Sequence, residues 1–361
     1  MTKMFWLTNG KLITPRGIVR GAVGIRAGRI TTIRSSAPSR EESLNVRGRY
    51  VAPGFVDLHL WGDPARIAAQ EVRFGTTGFL ATVGPESPQG LVNHLVQLNG
   101  CVEIPGVRCL GIHLEGPFLN PLRAGALASR WLRPPTKPEL RQVLRYADGR
   151  LKLMTLAPEL PGALEAARML RAKGVVVSLG HSDATVPIAR QAIEAGATTV
   201  THIFNGMRPM HHRAPGLLGQ ALTDDRVTAM VILDGVHVDP MVFRLLLQCK
   251  GTDRIVLATD SVRNQARLKA TLSGGAYRKA SGILAGSRLT MIEAVRNAVI
   301  FGSLPLVDAL RLATANPARL IGRRDLGELS VGKRADLVVF DEQFKVGLTL
   351  VGGRVVYRRS A

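Results

Sequence analysis

Paired cysteines, long apolar runs and aromatic clusters are all missing from this chain. Its three cysteines, Cys101, Cys109 and Cys249, are odd in number and show no Cys-x-x-Cys spacing. That excludes a disulfide framework and a zinc ribbon and leaves them as buried thiols. No apolar run approaches the ~18 residues a membrane-spanning helix needs. The apolar core of residues 1–10 is too short for a signal peptide, so the expected location is the cytoplasm. Low-complexity tracts are absent too, because the 20 prolines and 38 glycines are dispersed, which points to an ordered globular chain. Carboxylates are scarce: 48 Lys and Arg stand against 27 Asp and Glu, a net charge of +21. Such a charge suggests nucleic acid as one reading. Yet basic residues stand singly, as at Arg16, Arg20, Arg26, Arg29, Arg34 and Arg40, and aromatics make up only 5% of the chain. Without aromatics to stack bases, the charge reads better as a basic surface serving an anionic small molecule.

What is present is apolar material in quantity. A chain of 361 residues that is 46% hydrophobic supports one large core, or a large core with a satellite. At the ends, short β-like runs alternate with turn signals: 5–8, 22–26, 29–34 and 47–51, then 336–340 and 348–351, with Gly352-Gly353 as a hairpin turn before 354–357. Neither end can bury a core alone, so residues 1–50 and 326–361 are expected to join in one small β-sandwich. Between them, eight apolar runs alternate with helical patterns: 51–59, 77–83, 107–115, 151–156, 175–179, 198–203, 227–233 and 254–259. Strand–helix units of that number over residues 51–325 predict an α/β protein with a (β/α)8 barrel. A doubly wound open sheet is the alternative, but no Gly-x-Gly-x-x-Gly follows the first run.

Active sites of such barrels lie at the C-terminal strand ends. At 111–119 the chain reads Gly-Ile-His-Leu-Glu-Gly-Pro-Phe-Leu, where alternation puts His113 and Glu115 on one face and Gly-Pro stops the strand at the carboxylate. The other ends supply Asp57 and His59, His181, His202, Asp234 and His237, and Asp260. Five of the eight histidines thus fall at strand ends, while His94, His211 and His212 read as surface residues. His and carboxylate donors without Cys suit a divalent ion such as zinc with an open position for water. A free Asp at another strand end can take that water's proton, which predicts metal-assisted hydrolysis.

Several of these runs closely resemble the N-acetylglucosamine-6-phosphate deacetylases of the amidohydrolase superfamily. They are His-Leu-Glu-Gly-Pro-Phe-Leu-Asn at 113–120, Gly-His-Ser at 180–182, Thr-His-Ile-Phe-Asn-Gly-Met at 201–207, Asp-Gly-Val-His at 234–237, Ala-Thr-Asp at 258–260 and Gly-Ser-Arg-Leu-Thr-Met at 286–291. Val-Ala-Pro-Gly-Phe-Val-Asp at 51–57 and Gly-Lys-Arg-Ala-Asp-Leu at 332–337 are general to the superfamily. The resemblance implies one divalent metal, zinc with iron, cobalt or manganese as alternatives, held by Glu115, His181 and His202, with His59 as a further candidate. It implies Asp260 as general base and then acid, and substrate contacts from Asn205, Gly206, Met207, His237 and Leu289. Arg213 would grip the phosphate of a phosphorylated amino sugar from a neighbouring subunit, which implies a homodimer.

The departures are specific. Where the family has a histidine that polarises the acetyl carbonyl, Leu127 stands in Arg-Ala-Gly-Ala-Leu at 123–127. Trp61 replaces the second histidine of a His-x-His pair, so a complete second metal site is not expected. The loop after it is cut to Trp-Gly-Asp-Pro at 61–64, and Ser-Val-Arg-Asn-Gln follows at 261–265. These changes leave two other readings open: hydrolysis of a different amide or cyclic amide, and a catalytically impaired binding relative.

Overall fold

The apolar runs of the middle segment become parallel strands in a computed structural model that describes residues 3–39, 41–99, 106–265 and 270–360. Cys101 lies outside the described residues. Phe55–Gly62, Thr76–Val83, Arg108–Glu115, Leu151–Leu156, Val176–Leu179, Ala197–Val200, Thr228–Val231 and Ile255–Leu257 lie side by side in chain order, each parallel to the next. Every residue of Thr76–Val83 is buried, as a parallel strand covered on both faces requires. The run 51–59 divides at Gly54: Tyr50–Pro53 pairs with the terminal strands and Phe55–Gly62 begins the parallel set.

Four more strands, Ser261–Asn264, Thr271–Ser273, Ala276–Arg278 and Leu284–Ser287, extend this sheet to twelve. Ser261–Asn264 pairs with the first strand, Ser261 opposite Leu60, although only residues 258–260 separate it from the eighth. The sheet is therefore curled, with residues 255–264 paired beside the first and the seventh strands of the parallel set. Across that seam Thr259 donates to Asp57 from its N–H (3.3 Å) and its hydroxyl (2.5 Å).

Helices cover the outer face and start where the sequence caps them. Asp63 accepts the Arg66 N–H at the head of Pro64–Glu71, and Thr136 accepts from Glu139 at the head of Lys137–Tyr146. Thr290 and Glu293 form a capping box for Met291–Gly302. Each such cap contributes about 1 kcal/mol. In Pro240–Lys250 the inward positions belong to Phe243, Leu246 and Lys250. Cys249 consequently falls on the outer face and is exposed, and Cys109 is half-buried, so neither is the buried thiol that composition suggested. No helix among the described residues is long and apolar enough to cross a membrane.

The two chain ends meet in a second, eight-stranded sheet. Phe5–Thr14 pairs with Gly17–Arg26, Glu42–Asn45 and Tyr50–Pro53, and Tyr50–Pro53 pairs in turn with Leu337–Phe340 from the other end. Val346–Val351 and Arg354–Arg358 form the hairpin expected around Gly352-Gly353. Leu7, Leu12, Val23, Val51, Leu337 and Leu350 share one apolar core there.

Candidate active site

Glu115 closes the third parallel strand, and alternation places His113 beneath it on the same face. His113 is fully buried; its Nδ1–H donates to the Leu58 carbonyl (3.1 Å), so Nε2 accepts from the Thr155 hydroxyl (2.8 Å). Burial pushes the ring well below the ordinary histidine range, which keeps it neutral. Thr155 continues to Thr201 (2.7 Å) and Thr201 to Ser178 (2.5 Å), a hydroxyl chain that ties the floor together. His113 thus supports the cluster from below.

Above that floor three donors converge. His202 Nε2 lies 2.8 Å and His181 Nε2 3.3 Å from the Glu115 carboxylate, and one ligand atom from each of the three residues lies within 4.8 Å of the others. His181 donates its Nδ1–H to the Arg123 carbonyl (2.6 Å), which turns the Nε2 lone pair toward the cluster. All three side chains are buried. Burial alone would raise the Glu115 carboxyl, but His59, His181 and His202 hold it well below the usual range. Two imidazoles and a carboxylate make a donor set that fits a divalent ion with positions left for water.

His59, fully buried on the first strand, places Nε2 3.3 Å from both Glu115 and Asp260. Neither of its ring nitrogens has a hydrogen-bond partner among the described residues. Burial lowers its proton affinity, yet the two carboxylates outweigh that and push it up to about 9. Below it, Asp57 accepts from the His59 and Thr259 backbones, and burial pushes its carboxyl up to about 7.

Backbone strain gathers at this point. His181, His202 and Asp260 all take φ between +29° and +49°, the left-handed region that non-glycine residues rarely enter. Gly206 sits against His181, where a Cβ would come within 2.9 Å of Nδ1, so only glycine fits. Asp260 accepts the Trp61 indole N–H at 2.8 Å.

The remaining expected residues fall in three places. Asn205, Gly206 and His237 line one cavity with Glu115, His181, His202 and Asp260. His237 is held by Asp234 (2.7 Å); burial would raise that carboxyl, and the hydrogen bond with His237 keeps it below its usual range. Met207 and Leu289 instead pack into the apolar core and do not line the cavity. Arg213 is exposed outside it, beside His212 (2.8 Å). His94, expected on the surface, is half-buried on helix Pro88–Asn99, pairs with Glu86 (2.8 Å) and lines the cavity. The short 61–64 turn contributes only Trp61, Gly62, Asp63 and Pro64 to this wall, so the cavity reaches that helix.

A clamp escaped the sequence reading. Asp183 accepts from Arg123 (2.8 and 2.5 Å) and from Arg208, and Glu159 accepts from Asn120, Ser182 and the Asp183 N–H. It joins four loops far apart in sequence, and no periodicity signals such a contact.

A profile of the amidohydrolase family matches residues 50–356. The chain is 32% identical to N-acetylglucosamine-6-phosphate deacetylase of Bacillus subtilis (strain 168), over 96% of this chain and 95% of that one. It is 33% identical to N-acetylgalactosamine-6-phosphate deacetylase of Shewanella sp. (strain ANA-3), over 98% and 94%. The structure of a mutant N-acetyl-D-glucosamine-6-phosphate deacetylase from Mycobacterium smegmatis, in complex with N-acetyl-D-glucosamine-6-phosphate, superposes with a TM-score of 0.89 at 34% identity, covering 98% of this chain and 99% of that one. On the match over its length and the fold it shares, the chain belongs to the amidohydrolase family and, within it, to the N-acetylglucosamine-6-phosphate deacetylase family.

Proposed function

We propose that this protein hydrolyses the acetamide of an N-acetylated amino sugar 6-phosphate, N-acetylglucosamine 6-phosphate foremost, to the amino sugar and acetate. The observation that carries the reading is one cavity holding the buried Glu115–His181–His202 cluster beside Asp260. Glu115, His181 and His202 would hold a divalent ion, zinc by its donor preference, and His59 is a further candidate ligand. Such an ion supplies Lewis acidity toward an acyl carbonyl and a water molecule.

The protein's own groups do the rest. Asp260, with one oxygen held by Trp61 at 2.8 Å, keeps the other for a proton. It takes that proton as water adds to the acyl carbon and delivers it to the nitrogen as the C–N bond breaks. His237, steadied by Asp234, and the Asn205–Gly206 turn meet the sugar hydroxyls. Met207 and Leu289 act as packing behind that wall, supporting the substrate contacts rather than making them.

Arg213, exposed outside its own chain's cavity, is read as the phosphate ligand of a neighbouring copy, whose planar fork suits an oxyanion. That makes the working form a homodimer. A phosphorylated substrate, charged and confined by membranes, argues for the cytoplasm, and the scattered charge argues against nucleic acid. We also read the curled sheet as a closed (β/α)8 barrel over 51–325 and the terminal sheet, from 1–50 and 326–361, as a small flanking β-sandwich; pairing of the 255–264 stretch at both ends of the curl supports the closure.

The test is acetate release from N-acetylglucosamine 6-phosphate by zinc-loaded protein. Asp260→Asn is expected to abolish release while metal content stays stoichiometric. Bound zinc with no release by the unaltered chain overturns the substrate, and full activity in the variant overturns the base.

A further inference from the structure

The cavity around the cluster measures about 990 Å3, at the upper limit of the ~300–1,000 Å3 that holds drug-sized ligands and more than a monosaccharide phosphate with an acetyl group fills. Its two sides differ in chemistry. The ends of the sixth and seventh strands contribute Asn205, Gly206 and His237, which are polar and suit hydroxyls. The ends of the first and second strands, with the 123–128 loop and helix Pro88–Asn99, contribute Trp61, Gly84, Pro85, Leu98 and Leu127.

That second side is built as a unit. Gly84 has no side chain where Trp61 needs the space: a Cβ there would stand 2.8 Å from the tip of the indole and 4.0 Å from a Leu127 methyl. Leu127 leans on a small apolar cluster of Leu119, Ala124 and Leu132, which holds it at the wall. Polar residues also line this side: Glu86 and His94 are engaged with each other at 2.8 Å, Asp63 accepts the Arg66 N–H, and Thr82 and Gln97 stand among the apolar groups. Trp61 also touches Asp260, so this lobe begins at the atoms that handle the proton.

We infer that this lobe is an acyl pocket, and that the protein accepts N-acyl amino sugar phosphates whose acyl chain is longer than acetyl, with Leu127 and Trp61 as the residues that set the preference. The inference rests on the deacylase reading above. A carbonyl held between the metal ligands and Asp260 has two substituents. The sugar nitrogen must lead toward the polar side, because hydroxyls against Trp61 and Leu127 would lose their hydrogen bonds. The acyl chain then runs along the apolar wall, where each methylene buried is worth about a four-fold gain in binding. The reaction is unchanged in its balance: water's oxygen joins the acyl carbon, the C–N bond breaks, the nitrogen receives the proton, and a short-chain carboxylate leaves.

The experiment compares kcat/KM of the zinc-loaded full chain on glucosamine 6-phosphate bearing N-acetyl, N-propionyl, N-butyryl and N-hexanoyl groups. The expected result is a butyryl value at or above the acetyl value. Leu127→His, which puts a polar ring in the lobe, and Leu127→Phe, which fills it, are each expected to lower the butyryl-to-acetyl ratio by about ten-fold. A butyryl value thirty-fold or more below acetyl in the unaltered protein overturns the acyl pocket while leaving the deacetylase reading intact. No hydrolysis of any of the four overturns the deacylase reading and this one with it. An unchanged ratio in both Leu127 variants removes that residue from the wall.

Discussion

The indole N–H of Trp61 donates to Oδ1 of Asp260 at 2.8 Å, joining the first strand of the sheet to the turn after the eighth. In the proposed reaction this bond holds one carboxylate oxygen still so that the other faces the water. Trp61→Phe keeps the apolar wall and removes only the donor. The expected outcome in steady-state kinetics is a fall in kcat of about 10- to 100-fold with little change in KM, since misplacing a reacting group acts on the transition state. An unchanged kcat would mean that the bond does not position the base.

Metal loading should appear in stability as well as in turnover. A ligand held by the folded chain alone at 100 times its Kd stabilises by about 2.7 kcal/mol, which shifts the Tm of a chain this long by several degrees. Chelation is expected to lower Tm and zinc to restore it in differential scanning fluorimetry. Glu115→Gln should show no such response to zinc, and a zinc-dependent shift that survives in it would place the ion elsewhere.

Arg213→Ala separates the phosphate from the sugar. Losing a charge-assisted hydrogen bond costs about 1.5–3 kcal/mol, so KM for the 6-phosphate should rise by about 10- to 100-fold while KM for the unphosphorylated sugar barely moves. Sedimentation velocity on the unaltered chain and on the variant tests the proposed dimer. Equal rises on both substrates would remove the phosphate contact.

Lys250 offers a test away from the site. Its ammonium is buried and donates to the Ala221 (2.9 Å) and Asp224 (2.7 Å) carbonyls. Lys250→Met removes a donor from both carbonyls, leaving Asp224 with the Val227 N–H (3.1 Å), and denaturant unfolding should show a loss of about 1–3 kcal/mol. Burial, with Arg254 nearby, holds this lysine below its ordinary value of 10.5. The unfolded chain therefore binds its proton more readily than the folded one as pH nears 10.5, so wild-type stability should gain on the variant over that interval. A gap that is constant or narrows with rising pH would contradict the shift.

Much of this architecture is legible in the residues themselves, because local chemistry acts over a few positions. Alternation put His113 and Glu115 on one face, Gly-Pro ended their strand, and Gly352-Gly353 turned the last hairpin. Caps at Asp63, Thr136 and Thr290 started helices as their side chains predict. The polar strand ends, His59, Glu115, His181, His202 and Asp260, marked the site because an apolar run that stops on a histidine or carboxylate is costly without a use for it.

Other features depend on residues far apart in the chain, and only the tertiary structure decided them. Trp61 meets Asp260 across 199 positions, and Asp183 clamps Arg123 and Arg208 from different loops. His94 reached the cavity and Cys249 the exterior, because which side of a helix faces inward depends on what it packs against. Periodicity names a strand and its two faces from one segment alone; what stands opposite each face is set only when the curl brings the strand ends together. By itself, then, the sequence determined the eight parallel runs, the donor residues and the family's motifs, while the tertiary structure decided the four strands between 261 and 287 and that Leu127, Gly84 and Trp61 form one wall.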